Sequence, residues 1–181
     1  LVVHQKQTTS KDGTQVPFFV IHHKDIKLDS STPTLLYGYG GFEVSMNPSY
    51  SGCVGRSRLE NLSVYVLVNI RRWGEFGPIR LQAGLMGNRT RSQHDVIVVG
   101  EALIDLKITS PKHLGIMGGS NGGLLMGVML NQRPDLWNAV VIQVPLLDML
   151  RYHKLLAGAS WVDEYGDPGV AAERTFLETI S

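Results

Sequence analysis

The sequence predicts an α/β fold in which a mostly parallel sheet begins with an antiparallel hairpin. Three observations support this fold class. Short apolar runs rich in β-branched residues are typical of strands that are buried on both faces. Segments whose apolar residues recur every three or four positions lie between these runs, as expected of helices that cover a sheet. Glycine accounts for 20 of 181 residues, and α/β enzymes use glycine where strands end in tight turns.

The hairpin is predicted at the start of the chain. Residues 2–9 and 16–22 have strand-like composition, and Lys11-Asp12-Gly13-Thr14 between them is a typical turn sequence. Pro17 has no backbone N–H to donate to a neighbouring strand. We therefore expect the second strand of the hairpin to lie at an edge of the sheet.

Strands and helices alternate after the hairpin. Buried strands are predicted at residues 34–37, 62–70, 113–117 and 137–144, and helices at 93–106 and 124–131. This order implies parallel strands joined by right-handed crossovers. Residues 71–91 show no clear period and are predicted to form a long surface loop, and residues 146–181 are predicted to mix helix and loop.

Charge and cysteine content narrow the class of protein. The 17 basic and 16 acidic residues nearly cancel, which argues against the clustered positive surface of a nucleic-acid-binding protein. Cys53 is the single cysteine, so no internal disulfide can form. This suits a reducing compartment, and we expect a cytoplasmic protein, with the periplasm as the alternative. No apolar run approaches the roughly 20 residues needed to span a bilayer, so we predict no membrane partner. We also predict no cofactor and no metal, since the adjacent histidines His22 and His23 would point to opposite faces of a strand.

The motif that carries chemistry is Gly118-Gly119-Ser120-Asn121-Gly122, which matches G-x-S-x-G. It follows a predicted buried strand and precedes a predicted helix, which is the context of the nucleophile elbow in α/β-hydrolases. A sharp strained turn would lift the Ser120 hydroxyl above the sheet and direct the Asn121 backbone N–H at a developing oxyanion. The alternative is a glycine-rich turn that binds phosphate or only reverses the chain.

A hydrolase of this fold needs a second oxyanion donor from the loop after its third strand. Tyr37-Gly38-Tyr39-Gly40-Gly41-Phe42 occupies that place. Its glycines permit close approach of the backbone, and a tyrosine hydroxyl can donate a hydrogen bond. A plain glycine turn flanked by core tyrosines is the competing interpretation.

The motifs resemble those of the prolyl oligopeptidase family. In chain order, the likeness is carried by Tyr37-Gly38-Tyr39-Gly40-Gly41-Phe42, Gly118-Gly119-Ser120-Asn121-Gly122-Gly123-Leu124-Leu125, Asn131-Gln132-Arg133-Pro134-Asp135-Leu136 and Trp161-Val162-Asp163-Glu164-Tyr165-Gly166. It therefore extends over nearly the whole chain. The Ser-Asn-Gly-Gly sequence that starts at Ser120 resembles the prolyl oligopeptidase branch of the family. Oligopeptidase B typically has alanine after the serine, and dipeptidyl peptidases have tyrosine there.

The resemblance implies a role for each of these residues. Ser120 would be the acylated nucleophile, and the Asn121 N–H and the Tyr39 hydroxyl would form the oxyanion hole. Trp161 would stack on the proline ring of the substrate, in a pocket lined by Phe42, Val144, Tyr165 and Leu146, where Leu146 replaces the usual valine. From the residues alone, Trp161 on an amphipathic helix is more readily interpreted as a core side chain. Arg72 and Trp73 stand where the family usually has glycines.

The implied function is a serine-type endopeptidase or oligopeptidase that hydrolyses short peptides after proline through an acyl-enzyme. Two alternatives stay open. One is a related α/β-hydrolase, an esterase or a peptidase with another P1 preference. The other is a truncated, inactive relative that serves as a binding module.

The general base and its carboxylate are expected to be missing from this chain. In this fold the order is Ser, then Asp, then His, after later strands. Asp148 and His153 follow Ser120 too soon, and no histidine follows Asp163 or Asp167. We therefore expect residues 1–181 to be one partial α/β-hydrolase catalytic domain, truncated at its C-terminal end and inactive alone. The propeller domain and the C-terminal strands of the same polypeptide would then be its partners, beside short peptide substrates.

Overall fold

A computed structural model describes residues 1–41, 46–70 and 90–181 of the chain. Its strands are β1 (Val2–Thr9), β2 (Gln15–His22), β3 (Thr34–Tyr37), β4 (Val64–Val68), β5 (Leu114–Gly119) and β6 (Ala139–Gln143). Its helices are α1 (Gly52–Ser57), α2 (Thr90–Asp105), α3 (Asn121–Gln132), α4 (Val162–Tyr165) and α5 (Ala171–Glu178). The loop predicted for residues 71–91 lies outside the described residues up to Thr90, where α2 begins.

The strands form one sheet in the order β1-β2-β4-β3-β5-β6. The pairs β1–β2 and β2–β4 are antiparallel, and the pairs β3–β4, β3–β5 and β5–β6 are parallel. The predicted fold class, a mostly parallel sheet that opens with an antiparallel hairpin, is therefore confirmed. Among the described strands, β1 and β6 form the two edges, and β5, which leads to Ser120, lies between β3 and β6.

The prediction that Pro17 marks an edge strand is wrong. Its strand, β2, lies between β1 and β4. The register with β4 begins only at Phe18, which is paired with Val68. Pro17 contributes its carbonyl, which accepts a hydrogen bond from the Asn69 N–H at 2.9 Å. A proline is tolerated here because it stands before the first residue pair of the β2–β4 ladder.

The predicted elements after the hairpin are present with shifted ends. The strand predicted at 62–70 is shortened at both ends to β4, and before its start Leu62 adopts a left-handed conformation with φ 54°. The helix predicted at 124–131 begins earlier, at Asn121. Helix α1 was not predicted at all. Ser51 caps it, since its hydroxyl accepts a hydrogen bond from the Val54 N–H at 3.3 Å.

The core lies between the sheet and helices α2 and α3. Leu36, Val66 and Ile116 on neighbouring strands are fully buried. The Trp137 ring packs beneath α2 so closely that a Cβ on Gly100 would lie 2.6 Å from it. The Trp137 Nε1 donates to the Met129 carbonyl of α3 at 3.2 Å. This packing fixes α3, whose first turn carries the candidate site, against the centre of the sheet.

No helix in residues 1–41, 46–70 and 90–181 has the length and apolar character needed to cross a bilayer.

Candidate active site

Ser120 stands at the junction between a strand and a helix. Strand β5 ends at Gly119, and Ser120 is the N-cap residue of α3. Its backbone has φ 56° and ψ −118°, and its side chain is exposed. A non-glycine residue rarely adopts positive φ, and such strain is held by the surrounding structure at functional sites. This is the strained strand–turn–helix geometry that the motif predicted for a nucleophile elbow.

Glycines on both sides of Ser120 let three backbone segments meet. A Cβ on Gly118 would overlap the Gly122 carbonyl and lie 2.8 Å from the Gly38 carbonyl oxygen. A Cβ on Gly122 would lie 2.5 Å from that same oxygen of Gly38 and 3.2 Å from the Cα of Tyr39. Any side chain at either position would push the elbow away from the loop after β3. The two glycines therefore bring the Tyr39 loop against the start of α3.

Backbone hydrogen bonds hold Ser120 in place. Its N–H donates to the Gln143 carbonyl at the end of β6 at 3.0 Å. Its carbonyl accepts from the N–H groups of Gly123 and Leu124 at 2.9 and 3.2 Å. The N–H of Asn121, the first residue of α3, has no acceptor within the helix by geometry, and it lies at the positive end of the helix dipole. A negatively charged oxygen beside Ser120 would be stabilised there.

The Asn121 side chain connects the elbow to two other segments. Its Nδ2 donates to the carbonyl oxygens of Tyr39 and Gly40 at 2.9 and 2.7 Å. Its Oδ1 accepts a hydrogen bond from the Tyr165 hydroxyl at 2.8 Å. Both Asn121 and Tyr165 are buried, with 6% and 3% of their surface exposed. The sequence motifs assign a role only to the backbone N–H of Asn121 and to the ring of Tyr165, so they do not predict this connection.

The two triad candidates in the segment after β6 do not pair with each other. The Asp148 carboxylate bonds to the Arg151 guanidinium at 2.6 Å, and that bond lowers the pKa of Asp148 below its usual value. In the part of the chain that the structure describes, the Nδ1 atom of His153 is buried without a hydrogen-bond partner. A general base needs a carboxylate to orient its imidazole, and Asp148 faces Arg151 instead.

A model of the prolyl oligopeptidase family matches residues 59–179, about two thirds of the chain. The chain belongs to the prolyl oligopeptidase family. An uncharacterized peptidase of Sinorhizobium fredii is 57% identical over 181 residues, which are 100% of this chain and 25% of that protein. A prolyl endopeptidase of Elizabethkingia meningoseptica is 41% identical over 158 residues, which are 87% of this chain and 22% of that protein.

Solved structures agree with the family assignment. A post-proline cleaving enzyme from Rickettsia typhi superposes with a TM-score of 0.96 and 45% identity, over 99% of this chain and 26% of that one. The fold is therefore the α/β-hydrolase fold of prolyl oligopeptidases. The chain spans about a quarter of the length of the relatives that it matches.

Two pocket residues predicted from the prolyl oligopeptidase resemblance follow β6 directly. Val144 is 80% exposed and has φ 39°, a conformation that is rare for a β-branched residue. Leu146 is half-buried and packs against the core. Both come just after Gln143, whose carbonyl accepts the Ser120 N–H. The end of β6 thus brings these two side chains to the neighbourhood of the elbow.

The remaining pocket residues lie on the segment that ends in α4 or outside the described residues. Trp161 ends a 3₁₀ turn, Gly158–Trp161, and its half-buried ring packs against the core. Tyr165 follows one helical turn later and contacts Asn121, as described above. Phe42 lies outside the described residues, as do Arg72 and Trp73. The described residues contain no group of three or more side chains suited to bind a metal ion.

Proposed function

We propose that this chain supplies the nucleophile and the oxyanion-stabilising part of a serine peptidase that cleaves short peptides after proline. The observation that carries the proposal is the geometry of Ser120. An exposed serine at φ 56° begins a buried helix and is bonded through its N–H to the end of β6. Holding a serine in a strained conformation reduces stability, and such strain is found where a site needs it.

The proposed reaction proceeds through an acyl-enzyme. The Ser120 Oγ attacks the carbonyl carbon of the proline residue at P1, and the hydroxyl proton passes to a general base. The negative charge that develops on the carbonyl oxygen is stabilised by the Asn121 N–H and, in this proposal, by the Tyr39 hydroxyl. The peptide C–N bond then breaks, and the proton moves from the base to the leaving amine. Water attacks the acyl group in the second half of the reaction and releases Ser120.

The proline preference rests on the residues around the elbow. A proline ring is apolar and has no N–H donor, so an aromatic face binds it without leaving a polar group unpaired. Trp161 lies one turn before Tyr165, and Tyr165 bonds to the residue after the nucleophile. Two of the three relatives named above are a prolyl endopeptidase and a post-proline cleaving enzyme. These facts support the proposed pocket of Trp161, Tyr165, Val144 and Leu146, to which Phe42, outside the described residues, is assigned by the family resemblance alone.

The general base and its orienting carboxylate are proposed to come from the remainder of a longer polypeptide. The engagement of Asp148 with Arg151 supports this, as does the unpaired Nδ1 of His153 in the described residues. The length of the relatives also supports it, because each is about four times as long as this chain. We also propose that the longer polypeptide includes a propeller domain and that it is located in the cytoplasm.

The first test is covalent labelling of the full-length gene product that carries this sequence. A fluorophosphonate probe forms a bond only with a serine whose hydroxyl is activated. We expect one labelled serine, and peptide mapping by mass spectrometry should place the label on Ser120. A label on another serine, or no label on an intact folded protein, would contradict the proposal.

A substrate panel tests the proline preference separately from the serine chemistry. Matched chromogenic peptides with proline, arginine or alanine at P1 are compared with a simple acyl ester at equal concentration. We expect kcat/KM for the proline peptide to exceed that for the alanine peptide by about 10²-fold or more, on the scale of a filled apolar pocket. A higher kcat/KM for the arginine peptide or the ester would instead favour a related hydrolase of different specificity.

A further inference from the structure

The Asn121 carboxamide joins three segments that are far apart in the sequence. It is carried by the elbow, it donates two hydrogen bonds to the loop after β3, and it accepts one from α4. All three bonds have lengths between 2.7 and 2.9 Å, and the carboxamide is buried. Hydrogen bonds of this length in a buried site define the relative positions of the groups that they join.

The chemistry of the partners fixes the orientation of this carboxamide. The backbone oxygens of Tyr39 and Gly40 can only accept, so the amide nitrogen must face them. The Tyr165 hydroxyl can donate, and it satisfies the Oδ1 atom on the other side. The reverse orientation would place Oδ1 against two carbonyl oxygens. The two carbonyl oxygens therefore select the observed orientation, and the Tyr165 hydroxyl completes it by donating to Oδ1.

The loop after β3 packs closely against the Asn121 side chain. A Cβ on Gly41 would overlap Nδ2 of Asn121 and lie 2.7 Å from its Cγ, so residue 41 leaves the space that the carboxamide fills. A pocket of about 50 Å³ is lined by Gly40, Asn121 and Tyr165. Removal of the carboxamide would leave the two carbonyl groups without their donor and the loop free to shift toward this space.

We propose that Asn121 is a positioning residue whose side chain, anchored at Oδ1 by the Tyr165 hydroxyl, fixes the backbone of Tyr39 relative to Ser120. The inference rests on the proposed function, in which the Tyr39 hydroxyl and the Asn121 N–H stabilise the oxyanion. Asn121 then positions both donors. It supplies the N–H from its own backbone, and its side chain holds the loop that carries the Tyr39 hydroxyl. Tyr165 also links this arrangement to the segment that carries Trp161.

The test uses Tyr165→Phe in the full-length gene product, because this change removes one hydroxyl and keeps the ring. Loss of one hydrogen bond in a site that acts in the transition state should lower kcat about tenfold and leave KM within about twofold. Tyr152→Phe is the matched control. Tyr152 is equally buried and its ring packs edge-on against that of Tyr165 at a centroid distance of 5.5 Å, but its hydroxyl donates to the Gly166 carbonyl at 2.6 Å rather than to Asn121. It should lower the melting temperature without lowering kcat.

Inhibitor binding separates positioning from a general loss of structure. In a peptide aldehyde that ends in prolinal, the Ser120 Oγ bonds to the aldehyde carbon and its proton passes to the general base. The former carbonyl oxygen then carries the negative charge into the oxyanion site. Its inhibition constant should rise about tenfold in Tyr165→Phe, in parallel with kcat. A peptide that ends in a proline carboxylate forms no such bond, and its affinity should stay within about twofold.

Asn121→Ala should produce a larger loss of the same kind, about 10²-fold in kcat, since both carbonyl partners lose their donor. The inference is overturned if Tyr165→Phe and Tyr152→Phe behave alike, or if aldehyde and carboxylate affinities fall together. It is also overturned if Asn121→Ala folds and retains the wild-type kcat. Failure of the wild-type protein to react with the fluorophosphonate at Ser120 would instead overturn the proposed function, so the two failures are distinguishable.

Discussion

Replacement of Ser120 by alanine is expected to reduce kcat for a proline peptide by about 10⁴-fold or more. The hydroxyl is the only group of the elbow that can form the acyl bond, and no neighbouring residue can replace it in the same position. The backbone bonds from Ser120 to Gln143, Gly123 and Leu124 do not involve the hydroxyl, so the elbow should keep its shape. Steady-state kinetics on the full-length protein measure the loss, with labelling by a fluorophosphonate as a second measurement.

Ser57→Ala is the matched control for this substitution. Ser57 is an exposed serine at the end of α1, and its hydroxyl donates to the Cys53 carbonyl at 2.7 Å. Its replacement should change kcat and melting temperature very little. If Ser120→Ala kept more than a tenth of the wild-type kcat, the nucleophile would have to be another residue, and the peptidase assignment of this site would be lost.

Gly118→Ala is expected to damage both stability and activity. The added methyl group would overlap the carbonyl of Gly122 and approach the carbonyl oxygen of Gly38 to 2.8 Å. Both are backbone atoms, so no side-chain rotation can relieve the contact. Overpacking of this kind reduces the free energy of unfolding by about 3 kcal/mol. A displacement of about 1 Å at the nucleophile reduces kcat by about 10²-fold in the surviving folded protein.

A second glycine of the same strand provides the comparison. A Cβ on Gly115 would lie 3.5 Å from the Ala139 carbonyl oxygen, which is ordinary van der Waals contact. Gly115→Ala should therefore melt within a few degrees of the wild type and retain its kcat. Thermal denaturation and kinetics on both variants measure the difference. Equal behaviour of the two would mean that β5, α3 and the Tyr39 loop do not meet as described.

The elements that sequence patterns predict well are those whose local preferences and final surroundings agree. The run of apolar residues in β5, the glycine-rich turn and the Leu- and Met-rich helix after it all suggested an elbow at Ser120, and the structure has one. Position in the sheet is different, because it depends on which strand becomes a neighbour. The edge position predicted for the strand of Pro17 is therefore wrong. Strand β4 lies beside β2, but the residue pairs between them begin at Phe18, one residue after Pro17.

The start of α3 shows how tertiary contacts override local propensity. Gly122 and Gly123 have low helix propensity, and the sequence pattern predicts a helix only from Leu124. In the structure they lie in its first turn, where a side chain would collide with the Gly38 or Gln143 carbonyl oxygen. Glycine is required at these positions because other backbone segments lie so close to them. Those segments are distant in the sequence, so a local sequence pattern does not predict the requirement.

The role of the Asn121 side chain also lay beyond sequence patterns, because its three partners are 44, 81 and 82 residues away. One signal was present. A polar side chain at the first position of a buried helix needs partners for its hydrogen-bonding atoms, and the Tyr-Gly-Tyr-Gly-Gly loop was already expected beside it. That signal predicts a contact but does not identify the acceptors.

The two edges of the sheet differ in a way that affects how the chain behaves in isolation. Strand β1 carries His4, Gln5 and Lys6, whereas β6 consists of Ala139, Val140, Val141, Ile142 and Gln143 and has no charge. Val141 is 40% exposed on this outer strand of the described sheet. An uncharged apolar edge with free backbone groups is a template for strands of other molecules. A polypeptide limited to residues 1–181 should therefore self-associate through β6 as its concentration rises.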